Sequence, residues 1–276
     1  MSVFDTPSDP PVVFSPVHRC IYCPNDGSDG LGDEHIIPFA LNGTQILPQA
    51  SCHECERITS YLDGFTARSV FWHVRTSAGM QSRSGLPDEF PVILKFEDGR
   101  EEKVMVPSVI APLTLVLPKF RMPTLLSGAK PDGNFRFTYT TWMRTSTEFD
   151  EFVRARGAKS GEVEVSIKPQ QFSRALAKIA HSYAVARLGL HGFTPLLVDL
   201  IHQRNVERAP ELVGSDTETP PASYGVLHEL DLIPNPKFVI VRIRLFASSS
   251  TGETATPVYI IVAGEKTEGA RTILFD

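Results

Sequence analysis

The sequence predicts an α+β protein: a small N-terminal module over residues 18–85, then a mixed α+β domain over residues 86–276. Three observations point to that class. All four cysteines fall in two C-x-x-C pairs, Cys20/Cys23 and Cys52/Cys55. A helical period starts at the second pair, and beyond residue 90 short alternating strands outnumber helical stretches. With 276 residues, 42% hydrophobic and 21% charged, the chain can bury one large core or two smaller ones. Its composition is not that of a disordered or collagen-like sequence.

Residues 1–17 hold Asp5, Asp9 and four prolines, so they read as an extended lead-in and not as a basic, apolar-cored export signal. The most apolar run, residues 109–117, is broken by Pro112 and falls short of the ~18 residues a membrane helix needs. A cytoplasmic protein with no membrane contact is expected. Between the cysteine pairs, Asn42-Gly43 suits a tight reversal, which makes residues 34–38 and 44–47 partners in a hairpin. Residues 56–65 follow with a helical period. Ile58, Tyr61, Leu62 and Phe65 fall on one side, Glu56, Thr59, Ser60 and Asp63 on the other.

A turn-rich passage over residues 79–91 places the module boundary near residue 85. Residues 92–96 and 103–106 then form a hairpin across Glu97-Asp98-Gly99-Arg100. Residues 109–117, 135–141 and 162–167 are further strands, the last alternating Val163, Val165 and Ile167 with polar neighbours. One long helix is marked by Phe172, Leu176, Ile179, Ala180 and Tyr183, opened by Pro169 and stopped at Gly189. A second helix is expected over 195–204 and a loop over 207–221. Strands at 238–246 and 258–262, with another at 271–275, close the chain.

The cysteines carry the first chemical signal. Two C-x-x-C knuckles 28 residues apart can each give two thiolates to one tetrahedral Zn²⁺. Disulfides are the rival, but the pairs are tight in sequence and the chain shows no export signal. Four thiolates leave the metal no open position, so this zinc is structural. Between the knuckles lies Asp33-Glu34-His35-Ile36-Ile37-Pro38. Glu34 offers a hard oxygen ligand for a divalent cation, and the His35 imidazole can take a proton from water near neutral pH.

The ordered set Cys20-x-x-Cys23, Glu34-His35-Ile36-Ile37-Pro38 and Leu47-Pro48-Gln49-Ala50-Ser51-Cys52-x-x-Cys55 resembles the zinc-stabilised HNH endonucleases, over about residues 18–70. The resemblance implies a ββα-metal module that hydrolyses phosphodiester bonds in DNA, with RNA the lesser alternative. It implies structural Zn²⁺ on the four cysteines and one catalytic Mg²⁺ or Mn²⁺. By position, His35 is the general base and Glu34 a ligand of the catalytic ion. Many such nucleases carry Asn directly after the last cysteine. Here that residue is Glu56, so Glu56 itself, or Thr59 or Asp63 one or two turns later, is expected to complete the metal site. Successive strand residues point to opposite faces, so Glu34 and His35 can flank one phosphate only at a strand end, bulge or bend.

Charge complicates the nucleic-acid reading. Residues 1–80 carry four Arg, no Lys and nine acids, a balance of −5 that equals the whole-chain charge. Phosphate grip is therefore expected from Arg68, His73 and Arg75 beyond the helix, from the basic stretch 136–187, or from the partner subunit of a homodimer. The role of the second domain is left open: it could bind DNA, sense a ligand or supply a dimer surface. No Walker loop, dinucleotide fingerprint or G-x-S-x-G elbow is present, which removes the common nucleotide-binding and hydrolase signatures. The rival class is a non-catalytic four-cysteine zinc module that binds nucleic acid or protein, with Glu34 and His35 incidental.

Overall fold

The computed structural model describes residues 11–80, 82, 85–130, 136–221, 223, 225–247 and 256–267; the strand expected at 271–275 lies outside them. The N-terminal part runs β1 (Val12–Val13), β2 (Gly32–His35), a 3-10 turn (Phe39–Leu41), β3 (Gln45–Ser51), α1 (His53–Arg68) and α2 (Trp72–Ser77). Strand β3 is central, parallel to β1 and antiparallel to β2, with Glu34 opposite Leu47 and His35 opposite Ile46. The expected hairpin is present, but a 3-10 turn replaces the two-residue reversal. Asn42 takes the left-handed conformation at φ 58°, and a Cβ on Gly43 would lie 2.1 Å from the Ile37 carbonyl oxygen, so only glycine fits there.

Helix α1 is longer than its apolar period indicated, and its buried face is rotated. Cys55, Thr59, Leu62 and Thr66 are buried, while Tyr61 is exposed. Threonine can take these places because its hydroxyl turns back onto the helix: Thr66 Oγ1 donates to the Leu62 and Asp63 carbonyls at 3.1 and 2.9 Å.

The remainder runs β4 (Glu89–Lys95), β5 (Glu101–Pro107), β6 (Leu113–Phe120), α3 (Thr124–Ser127), β7 (Phe137–Arg144), α4 (Thr147–Ala155), β8 (Ser160–Glu162) and α5 (Pro169–Leu188). It continues with β9 (Phe193–Pro195), α6 (Val198–Ile201), α7 (Ala209–Leu212), β10 (Val213–Ser215), β11 (His228–Ile233), β12 (Phe238–Leu245) and β13 (Val258–Lys266). Strands β10-β13-β12-β11 form an antiparallel sheet, and β9 joins it by pairing with β13. Strands β5-β4-β8 form a second sheet, and β6 pairs with β7. The architecture is mixed α+β. Three expectations are corrected. Residues 195–204 hold the last residue of β9 and, as helix, only the short α6, residues 207–221 hold α7 and β10, and the strand at 162–167 shrinks to β8, whose ladder with β4 ends at Glu162.

Helix α5 departs most from its sequence pattern. Every residue from Phe172 to Val185 is buried, not one face alone. It packs against α1 on one side and against β12 and β13 on the other. Cys20, Tyr22 and Leu62 consequently share one apolar core with Leu176, Ile179, Val241 and Ile261. A smaller core gathers Phe90, Val92 and Leu94 of β4 under Phe149 and Val153 of α4. Among the described residues no helix is long and apolar enough to cross a membrane.

Candidate functional site

The two knuckles meet. The Sγ atoms of Cys20, Cys23, Cys52 and Cys55 all lie within 4.8 Å of one another, and no disulfide joins them. Cys23 and Cys52 are 3.6 Å apart at sulfur. Tetrahedral Zn–S bonds of about 2.3 Å set sulfurs about 3.8 Å apart, so the four thiols fit a zinc ion, and they are the group of this kind found among the described residues. Cys52 caps α1 and Cys55 sits in its first turn, so a metal here fixes where that helix starts. His202, just past α6, brings Nε2 to 3.8 Å from Cys55 Sγ and ties the distant half of the chain to the cluster.

Beside the cluster, β2, α1 and α2 enclose a cleft of about 610 Å³ whose walls include Glu34, His35, Glu56, Asp63, Arg68 and Trp72. All four residues singled out for catalysis therefore border one space. Strand alternation still holds: the Glu34 side chain points inward and is buried, whereas His35 is partly exposed and packs edge-on against Phe39 at 5.7 Å. Both reach the cleft because β2 ends at His35 and its register with β3 is irregular between Gly32 and Glu34. Gly64 leaves room for the Arg68 guanidinium, whose Nη2 lies 2.6 Å from where a Cβ on residue 64 would stand.

Helix α5 supplies the part that sequence reasoning missed. Arg174, Lys178 and His181 recur at i, i+4 and i+7, a polar stripe turned toward the cysteine-bearing half and α6. Arg174 donates to the Leu200 and Ile201 carbonyls at 3.2 and 2.7 Å. His181 Nε2 donates to the Ile21 carbonyl of the first knuckle at 2.7 Å. Lys178, with a fully buried side chain, places Nζ 2.6 Å from Glu34 Oε1, 3.1 Å from Asp63 Oδ2 and 2.5 Å from the His35 carbonyl oxygen. The sequence did carry a signal: residues 175–186 hold one ammonium among alanines, Leu176, Ile179 and Val185. A lysine in such a run needs a buried partner.

The electrostatics follow from that triad. Two carboxylates and one ammonium meet at the cleft wall, Lys178 and Glu34 buried and Asp63 half-buried. Burial pushes Asp63 up to about 6; Lys178 pulls it down and the nearby Glu34 carboxylate raises it further. Burial opposes charge on Lys178, but the Asp63 and Glu34 carboxylates hold its pKa above the ordinary value. This geometry does not suit a divalent cation between Glu34 and Asp63. An ion bound to either oxygen would sit about 4 Å from a full positive charge, a repulsion of about 8 kcal/mol for a 2+ ion at an effective dielectric near 20.

Two expected phosphate contacts are structural instead. Arg75 is buried, with Nε donating to the Ala40 carbonyl at 2.5 Å and Nη1 to the Ala67 carbonyl at 3.0 Å. His73 is buried against the Glu164 carbonyl, and burial lowers its pKa. Arg68 remains at the cleft. In the basic stretch 136–187, Arg174 and Lys178 face inward and cannot grip an external backbone. Compared with family models, curated proteins and solved structures, the chain matches none.

Proposed function

We propose that the chain is an HNH-type nuclease that hydrolyses phosphodiester bonds, DNA before RNA, at the cleft bordered by Glu34, His35, Glu56 and Asp63. One observation carries the reading: four residues spread from position 34 to 63 line one cleft beside a thiol cluster fit for zinc. His35, partly exposed at the end of β2, takes the proton from a water whose oxygen attacks phosphorus as the bond from phosphorus to the 3′ oxygen breaks and that oxygen leaves and is protonated by solvent. Arg68 supplies positive charge at the same wall for a phosphate oxygen. The part first assigned to Glu34, holding Mg²⁺ or Mn²⁺, is not carried over, because its carboxylate is paired with Lys178. Zinc remains outside the chemistry, since four thiolates fill its coordination sphere.

The test is cleavage of single-stranded DNA, duplex DNA and RNA by zinc-loaded protein, with and without added Mg²⁺ or Mn²⁺. Wild type should cleave at least one substrate, and His35→Ala should lose about 100-fold or more with unchanged melting temperature. No cleavage of any substrate, or equal cleavage by His35→Ala, refutes the assignment. The acidic cleft and the paired Glu34 favour a second reading, a zinc module that binds without cutting; it predicts retained binding and no products.

A further inference from the structure

We infer that Lys178 is the resident cation of this cleft: its ammonium stands between Glu34 of β2 and Asp63 of α1, where a divalent ion bridging strand and helix would have to sit. An ammonium has three hydrogens to donate. Here they meet three acceptors, Glu34 Oε1 at 2.6 Å, Asp63 Oδ2 at 3.1 Å and the His35 carbonyl at 2.5 Å, so its donors are used up. The side chain cannot swing away cheaply. It is fully buried and rises from a helix held one turn earlier by Arg174 and one turn later by His181. Asp63 Oδ1 is buried and has no partner among the described residues, so the pair still has acceptor capacity that one ammonium does not use.

The arrangement has a chemical consequence. A metal bound by two carboxylates exchanges with solution and can be chelated, whereas Lys178 is covalently part of the chain. The strand and the helix are thus bridged by a fixed single charge, and the backbone of His35 is anchored by the same atom. Under the nuclease reading Lys178 is a positioning residue for His35. The assignment of the cation place itself does not depend on that reading.

Metal titration tests it, because it reads binding alone and is indifferent to whether His35→Ala abolishes cleavage. Zinc-loaded wild type is titrated with Mn²⁺, following the free-ion paramagnetic resonance signal and the melting curve. No uptake beyond weak surface binding is expected, and none that Glu34→Gln changes. Lys178→Met empties the place while keeping side-chain bulk. It should take up one Mn²⁺ per chain, about 100-fold tighter than wild type, and melt higher as Mn²⁺ is added. Adding Glu34→Gln and Asp63→Asn to Lys178→Met should abolish the uptake. Wild-type Mn²⁺ binding that Glu34→Gln removes would overturn the inference, as would a folded Lys178→Met that takes up none. If Lys178→Met does not fold, the wild-type titration with and without Glu34→Gln decides alone.

Discussion

Acid should loosen this protein through His228, which pins the turn below the cleft. Its Nε2 donates to the Leu41 carbonyl at 2.7 Å, and its Nδ1 accepts from the Phe246 amide at 3.2 Å. Both ring nitrogens are therefore satisfied in the neutral form. A second proton would land on Nδ1 and break the bond to Phe246. Burial accordingly pulls the pKa down to about 4, against the support of the Leu41 carbonyl. The unfolded imidazole takes its proton near pH ~6.5, so between the two values the unfolded chain binds more protons and stability falls as pH drops. The loss works out at about 2 kcal/mol at pH 5 and about 3.4 kcal/mol well below pH 4. Urea unfolding of wild type and His228→Gln at pH 7.5 and pH 5 isolates the effect. Glutamine keeps a donor for Leu41 and cannot ionise. The stability lost between the two pH values should be smaller by about 2 kcal/mol in His228→Gln. Other titrating groups, the thiols included, cancel in the difference. Equal losses in the two proteins would refute the assignment of a half-buried neutral imidazole.

The remaining expectations concern metal and backbone. Purified protein should hold one zinc per chain by elemental analysis, and Cys52→Ser should lose it together with about 5 kcal/mol or more of stability, since a metal held by Cys52 and Cys55 would fix the start of α1; an unchanged melting temperature would contradict a structural zinc. Gly43→Ala should cost about 2–4 kcal/mol, because the added methyl carbon meets the Ile37 carbonyl at 2.1 Å and the β2–β3 turn must open. Denaturant melts check this, and a near-neutral result would mean the turn adapts freely.

What the sequence made legible was whatever depends on local period and spacing. Cys20, Cys23, Cys52 and Cys55 could be read as one cluster because two knuckles impose their own geometry. Asn42-Gly43 located the reversal, and Pro169 and Gly189 bounded α5. Where tertiary contacts decide, the pattern failed. Thr59 and Thr66 lie inside although they read as polar, and Arg75 and His73, which looked like phosphate contacts, satisfy carbonyls of Ala40, Ala67 and Glu164. Lys178 falls within the basic stretch 136–187 and reads locally as one more cation there, because its partners lie more than a hundred positions away and no local period records that distance.

The same distance explains why the cysteine-bearing half needs the rest of the chain. Zinc can fix four sulfurs, but it does nothing for backbone oxygens left without partners at the ends of short elements, and burying those unpaired is costly. Three such oxygens belong to the cysteine-bearing half: Ile21 in the first knuckle, His35 at the end of β2 and Leu41 at the end of the 3-10 turn. Each accepts from a side chain beyond residue 170, His181, Lys178 and His228 respectively. All three donors are cationic or can become so, but burial lowers His181 and His228 to about 4, so those two donate as neutral rings near pH 7. Lys178 is the exception, and its charge is tolerated because Glu34 and Asp63 surround it. The cleft therefore owes its shape to two kinds of fastening at once, a thiol cluster fit for zinc made within the first sixty residues and a set of long-range donors from α5 and β11.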